Sequence, residues 1–259
     1  MTNVLSLFDL SGKKAIVVGG GGDLGGEIAV ALAEAGADVA IADIDDAGAH
    51  RAAERVETTG RRALVLHCDA TKEQEIRGTI GRVISEFGGL NIAVNSQGVG
   101  DHAATIEMAE QLWDKVLGVN LSSIFLCVKH QGHQMRNSGG GSIINVASMH
   151  SIIAAKGVAL GAYCSSKGGL LLLTKSLACE WAPYNIRVNC ISPGEMITKM
   201  NKASYDPDSQ VYKDLVGRTP LKRMGEPHEL SGAVVFLASE ASSFMTGSNL
   251  VIDGGYSIW

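Results

Sequence analysis

Short apolar runs alternate along the chain with longer segments whose apolar residues recur every three or four positions. Residues 15–18, 38–42, 63–67, 90–94, 142–146, 186–191 and 249–252 read as strands. After the first of them, Ile28, Ala29, Leu32 and Ala33 mark one helix face that runs to Gly36. A polar helix follows the second strand, with charges at Asp46, Arg51, Glu54, Arg55 and Glu57. Another helix ends near Gly88 and Gly89, and two long ones are predicted over 111–135 and 162–182. Buried apolar strands that alternate with amphipathic helices predict a parallel sheet covered on both faces. No Pro/Ser-rich linker or repeat divides the chain, so the reading is α/β: a single Rossmann-type doubly wound domain over residues 1–259. The polar stretch at about 195–215, which carries Pro207, is the loop with room to form a substrate lid.

Composition narrows the function. The chain has 259 residues, 46% hydrophobic and 19% charged, with a formal net charge of −5. That balance is globular, and it argues against an electrostatic nucleic-acid binder. The start, MTNVLSLFDLSGKK, lacks the basic head and long apolar run of a secretory leader. The greasiest run, Leu170 to Leu173, is far too short to span a bilayer. Five cysteines without a C-x-x-C pair read as reduced thiols of a cytoplasmic protein. His130 and His133 are the one close histidine pair, and a solvated helix face explains them better than a metal site. No metal is expected.

The stretch VVGGGGDLGG, residues 17–26, packs six glycines into ten positions between a strand and a helix. Glycines there permit a tight turn and bring backbone N–H groups up to a pyrophosphate at a helix N-terminus. A P-loop is excluded, because Gly-Lys-Ser/Thr does not follow. Asp43 ends the second strand about twenty residues on, where a carboxylate can accept from both ribose hydroxyls and repel a 2′-phosphate. A helix N-cap is the plainer reading of Asp43, and a ligand-free tight turn that of the glycines. Farther on, Tyr163 and Lys167 stand four apart on a predicted helix and share a face. A phenol is a poor base at neutral pH, and a neighbouring ammonium favours its ionised form.

These elements together resemble the short-chain dehydrogenase/reductase family, from about Leu10 to Gly255. The matching pieces are the glycine turn, Asp69 after the third strand, VNSQG at 94–98, Val119-Asn120 and INVAS ending at Ser148. The Tyr163/Lys167 pair, PGEMIT at 193–198 and the terminal SSFMTGSNLVIDGG complete the set. The resemblance implies an NAD-dependent oxidoreductase and a homotetramer formed through helices 111–135 and 162–182 and the last strand. It implies that Tyr163 exchanges the proton with the substrate oxygen and that Lys167 binds the nicotinamide ribose and lowers the Tyr163 pKa. Ser148 would hold the substrate oxygen, and Asn120 would kink its helix and help hold a water linking Lys167 to solvent. For the cofactor it points to Gly19, Asp23, Leu24 and Gly25 at the pyrophosphate and to Asp43 at the ribose. Asp69 would meet the adenine amino group, with Asn95 and Gly98 on the adenosine side. The 193–198 loop, with Pro193, Gly194, Met196 and Thr198, would reach the carboxamide. Asn95 as a tie across the sheet, Thr198 as a lid-helix cap and Asp69 as a strand-end cap are the structural alternatives.

The chain also departs from the family pattern. Val18 stands where threonine is common, Asp23 where the middle glycine is common, and Ser96 and Gln97 where asparagine and alanine are usual. Asp23 at a helix start can cap free N–H groups, and is expected to turn its charge away from the pyrophosphate. Ser148 and Tyr163 lie 15 positions apart, about two more than in many members. With the FDLSGK start and DGGYSIW end, this resembles the polyol and ketose branch. His150, His102 and Glu195 are polar candidates for substrate hydroxyls, against the plainer reading as solvated loop residues. A reductase of 3-oxoacyl thioesters or other carbonyls is the alternative, and a catalytically idle dinucleotide sensor is the alternative of another class.

Overall fold

A computed structural model describes residues 3–154, 157–204 and 206–258, and the side chains of all of these except 202–204. Strands β1 (Lys14–Val18), β2 (Asp38–Asp43), β3 (Ala63–His67), β4 (Ile92–Asn95), β5 (Gly141–Val146), β6 (Ile186–Pro193) and β7 (Asn249–Ile252) form one sheet. Its order is β3-β2-β1-β4-β5-β6-β7, and every pairing is parallel. Helices α1 (Asp23–Glu34), α2 (Asp46–Thr58), α3 (Glu73–Phe87), α4 (Glu110–Leu117), α5 (Ser123–Asn137), α6 (Gly161–Trp181), α7 (Gln210–Arg218) and α8 (Ser231–Ala238) connect the strands.

Alternation along each strand sends side chains into two separate cores. Ala15, Val17, Val39 and Ile41 join α1, α2 and α8 on one face. Ile16, Val18, Ala40 and Ala42 join α3, α5 and α6 on the other. Local signals set the helix ends. Asp45 caps α2 by accepting from the Gly48 N–H at 3.1 Å, and Gly88, at φ 81°, ends α3 in the left-handed region. The strand order reverses between β1 and β4, so their carboxyl ends part there and open a crevice.

The helix predicted over 111–135 by apolar spacing is interrupted at Asn120, where the family resemblance implies a kink. A π turn at Gly118–Ser122 separates α4 from α5, with the buried Asn120 inside it. The side chain of Asn120 both donates to and accepts from the Val99 backbone at 3.0 and 2.8 Å, holding the widened turn against the loop after β4. Apolar spacing cannot reveal this, since one extra residue in a turn barely disturbs a helical stripe.

Behind β4, Asn95 is fully buried and pairs reciprocally with Gln131 at 3.1 and 2.8 Å. Asn95 also donates to Asn145 at 2.9 Å, and Asn145 donates to Thr174 at 3.0 Å. This chain ties β4 and β5 to α5 and α6 beneath the crevice. Asn95→Ala would orphan groups on Gln131 and Asn145, at roughly 1–3 kcal/mol for each buried group left unpaired. A marked fall in the thermal unfolding midpoint of the cofactor-free protein is expected; an unchanged midpoint would show the network to be dispensable.

Candidate active site

The β1–α1 turn is shaped by backbone close approach. Gly19 has φ 78°, and a Cβ on Gly25 would lie 2.0 Å from the Gly19 carbonyl oxygen. Only glycine fits either position. Gly22 is the N-cap of α1 and offers no side-chain cap, so the first N–H groups of the helix face the crevice without one. These features fit a pyrophosphate cradle.

Asp23 opens the helix but does not cap it. Its carboxylate accepts from the Lys199 backbone N–H and lies 3.7 Å from the Lys199 ammonium. The charge is turned aside, as expected, but toward the 195–215 segment rather than onto its own helix. That segment is pinned by further backbone bonds: Ile197 N–H donates to Gly225 O at 2.8 Å, and Gly225 N–H to Glu195 O at 2.9 Å. A cavity of about 470 Å³, lined by Gly21, Asp23, Arg51, Arg55, Thr198 and Lys199, lies between α1, α2 and this segment. It does not include Ser148, Tyr163 or Lys167.

Asp43 accepts from the Gly21 and Asp45 N–H groups, both at 2.8 Å, so one oxygen braces the glycine turn and the other its own loop. A carboxylate retains further lone pairs for ribose hydroxyls. Asp69 is committed locally: it accepts from Thr71 N–H and Oγ1 at 3.0 and 2.6 Å and pairs with Lys72 at 3.2 Å. One cofactor candidate is withdrawn from the crevice. Asn95 exposes no surface and is spent on Gln131 and Asn145, which is the sheet-tie alternative. The Met196 side chain is buried in the core, while the bonds to Gly225 run through Glu195 O and Ile197 N–H on either side of it. Pro193 ends β6, and the Gly194 N–H donates to Ile252 O at 2.9 Å, joining β6 to β7. Leu24 packs at the edge of the core, and Thr198 lines the outer cavity.

At the carboxyl ends of β4 and β5 the remaining candidates converge. Ser148 is extended, and its Oγ accepts from the His150 N–H at 3.2 Å. Ser151 closes a capping box around it, donating to Ser148 O at 2.6 Å and accepting from Ser148 N–H at 3.2 Å. The Ser148 hydroxyl lies close enough to the Tyr163 phenol to favour its ionised form. Lys167 lies 5.9 Å from the Tyr163 ring centroid, and its ammonium donates to Val146 O at 2.9 Å. Asn120 donates to Ser166 Oγ at 3.2 Å, and Ser166 Oγ donates to Tyr163 O at 2.7 Å. Gly98, in the loop after β4, lies beside this group: a Cβ there would make ordinary contact with Asn120 and the Lys167 Nζ. Val99, Val146, Ser151, Ser166 and Lys199 were missed from sequence. The S-x-x-S spacing of Ser148 and Ser151 was the one legible signal among them.

Electrostatically, burial dominates. It pushes the Tyr163 phenol above its ordinary range; the nearby Ser148 hydroxyl pulls it down, and the charge of Glu195 pushes it further up. Burial likewise lowers Lys167 to about 8. The expected lowering of Tyr163 by Lys167 is therefore not the net outcome in the protein alone. Glu195 is half-buried, and desolvation raises its carboxyl. His150, expected to be solvated, is buried edge-on against the Tyr163 ring at 6.2 Å. His102 is exposed and its Nδ1 lies 3.1 Å from Gly100 O. All five cysteines are unpaired, and among the described residues no group of three or more His, Cys, Asp or Glu could hold a metal.

Comparison with known proteins gives the arrangement a context. A family model described as enoyl-(acyl carrier protein) reductase matches residues 22–257. An NAD-dependent glycerol dehydrogenase of Listeria innocua serovar 6a is 37% identical, over 97% of this chain and 96% of its own. A 2-dehydro-3-deoxy-D-gluconate 5-dehydrogenase of Escherichia coli K12 is also 37% identical, over 98% of both chains. The crystal structure of a gluconate 5-dehydrogenase from Burkholderia cenocepacia J2315, in complex with NADP and tartrate, superposes with a TM-score of 0.93. It is 33% identical, over 99% of this chain and 100% of that one.

The buried ammonium has a measurable cost. A shift from 10.5 to about 8 corresponds to about 3 kcal/mol against folding while Lys167 is charged in both states. Lys167→Met removes that cost and forfeits one charge-assisted bond to Val146 O, roughly 1.5–3 kcal/mol, leaving about 0–1.5 kcal/mol of net gain. The variant should melt higher than wild type at pH 7. Its advantage is full below pH 8 and shrinks as pH rises toward 10.5, because the folded lysine then becomes neutral while the unfolded one stays charged. Melting curves across that range check the sign, and a less stable variant at pH 7 would refute it.

Proposed function

Because the chain belongs to the short-chain dehydrogenase/reductase family, and is an oxidoreductase acting on alcohol CH–OH groups, we propose that it is an NAD-dependent dehydrogenase of a polyol or ketose. The observation that carries the reading is the convergence of Ser148, Tyr163, Lys167 and Asn120 in one bonded group at the crest of β4 and β5. The family binds a nicotinamide dinucleotide, which supplies the hydride acceptor at the substrate carbon when bound.

In this reading Tyr163 takes the hydroxyl proton as the carbon is oxidised. Ser148 accepts from the His150 N–H and so keeps its one proton to donate, to the phenolate before substrate arrives and to the substrate oxygen afterwards. Lys167, with its ammonium fixed on Val146 O, supplies positive charge on the same helix face and binds the nicotinamide ribose. Asn120 bridges Val99 and Ser166 beside it, and would hold the water that passes the proton outward. Gly19, Asp23, Leu24 and Gly25 would cradle the pyrophosphate through backbone groups. Gly98 would border the adenosine side, and Pro193, Gly194 and Thr198 would line the nicotinamide half, under a lid formed by about 195–215.

Cofactor choice turns on Asp43. The fold accommodates either form, since the Listeria relative is NAD-dependent and the Burkholderia structure contains NADP. Here the loop after β2 carries Asp43, Asp45 and Asp46, and the nearby Arg51 lies 3.8 Å from Asp45. A 2′-phosphate would meet like charge, which supports NAD.

The acyl-carrier reading has the description of the matching family model in its favour. It wants a basic docking patch, yet Lys115, Lys199 and Arg223 around the mouth pair with Asp101, Asp23 and Glu229. A sensor without catalysis would not need the four-residue group. Exposed Trp113, Phe125 and Leu172 on α4, α5 and α6 support assembly as a homotetramer through these helices. Five free thiols support a cytoplasmic location, and among the described residues no helix is long and apolar enough to cross a membrane.

Tyr163→Phe keeps the ring and removes the proton carrier. Alcohol oxidation, followed as NADH absorbance, should fall by at least about a hundredfold with NAD affinity nearly unchanged. Wild-type turnover in that variant would remove Tyr163 from the chemistry. Wild type should favour NAD over NADP, and Asp43→Ala should weaken NAD and narrow that preference by about tenfold. An enzyme that prefers NADP at the outset would overturn the Asp43 assignment.

A further inference from the structure

Asp23 stands inside the glycine turn, directly after Gly22, the N-cap of α1. Its carboxylate does not serve its own helix: Oδ2 accepts from the backbone N–H of Lys199, in the segment that follows β6. The Lys199 ammonium lies 3.7 Å from Oδ1, but that side chain is 74% exposed, so the solvated ion pair adds little to the hold. The bond from the backbone N–H to an ionised acceptor is the anchor. Other charges around the cavity that Asp23 and Lys199 share are engaged elsewhere. Arg55 pairs with Glu27 at 2.7 Å, Arg51 lies 3.8 Å from Asp45, and Glu226 accepts from a backbone N–H of the turn after it.

The next residue reaches the other side of the crevice. The Met200 thioether lies against Gly100 in the loop after β4, where a Cβ would come within 3.2 Å of its Sδ. Neighbouring residues of one segment therefore touch both lips, the start of α1 and the loop that leaves β4. The segment is also fastened on either side of Thr198. Before it, Ile197 N–H donates to Gly225 O at 2.8 Å. After it, Asn201 donates to Thr198 O at 3.0 Å from its backbone and to Met196 O at 3.1 Å from its side chain. Residues 197–201 form a strap across the crevice, and Asp23 is where the strap meets the pyrophosphate cradle.

We propose that Asp23 is a positioning residue that latches this strap to the cradle, so that opening of the Asp23–Lys199 bond sets the rate at which a bound dinucleotide leaves. The inference rests on the reading that a nicotinamide dinucleotide occupies the crevice with its nicotinamide half under this segment. A glycine at position 23 has no side-chain acceptor and could not perform the task.

Release is followed by stopped flow. Enzyme loaded with NADH, or with NADPH if wild type prefers it, is mixed with excess oxidised cofactor, and the loss of bound-nucleotide fluorescence is timed. Asp23→Ala should speed release at least about tenfold. Asp23→Asn keeps an acceptor for the Lys199 N–H and should stay within about threefold of wild type. Met200→Ala loosens the other anchor without touching the cradle, and should speed release at least about threefold. ADP carries the pyrophosphate but no nicotinamide half, so its affinity by calorimetry should stay within about threefold in all of these variants. Unchanged release in Asp23→Ala overturns the latch, as does an asparagine that behaves like alanine. ADP and the dinucleotide weakened alike would show a damaged cradle, and both tightened would show a charge that opposes the pyrophosphate; either result overturns the proposal. The dinucleotide reading is scored separately on wild type, where failure to bind both NADH and NADPH discards it and the latch together.

Discussion

The β1–α1 turn approaches itself so closely that no methyl group fits between Gly19 and Gly25. That contact seats the start of α1 directly above the end of β1 and leaves its first N–H groups without a side-chain cap. Other parts of the crevice refer to it. Asp43 reaches across from β2 to accept from Gly21, and Asp23 reaches out to Lys199. The end of β2 and the start of the 195–215 segment are thus tied to one backbone turn, at the candidate cofactor cradle. The aspartate in a phosphate loop, paradoxical as a charge, makes sense as a strut.

The candidate catalytic group obeys a different constraint. Ser148, Asn120 and the Tyr163/Lys167 pair of α6 come from three segments, and bonds to backbone fix Ser148, Asn120 and the Lys167 ammonium against one another. Concentrating a phenol and an ammonium in a dry place carries a cost, visible as the raised tyrosine and the lysine at about 8. Burial makes each reluctant to ionise, and makes each sensitive to charge brought by a ligand. Glu195 adds negative charge that also favours the neutral phenol.

The buried amide chain beneath the crevice connects these two halves. Asn95, Gln131, Asn145 and Thr174 join β4 and β5, the strands that hold the loops of Val99 and Ser148. A fully satisfied polar network in a core resists sliding, because displacement breaks several bonds together. It thereby fixes the spacing of the two loops that meet at Lys167.

Apolar periodicity in the sequence was sufficient for the strands and most helices, because burial on two faces dictates both. The glycine turn, Asp43 and the Tyr163/Lys167 spacing were legible for the same reason: each is a local geometric demand that few residue types meet. What the tertiary structure decided was which polar groups remain free. Asn95 looks like a ligand in sequence, yet it is consumed in the core. His150 looks like an ordinary loop residue, yet packing buries its ring and leaves Nδ1 without a partner. Whether a polar side chain is spent or available depends on neighbours distant in the chain. The π turn at Asn120 is of the same kind, since the loop after β4 that holds it open lies about twenty residues away.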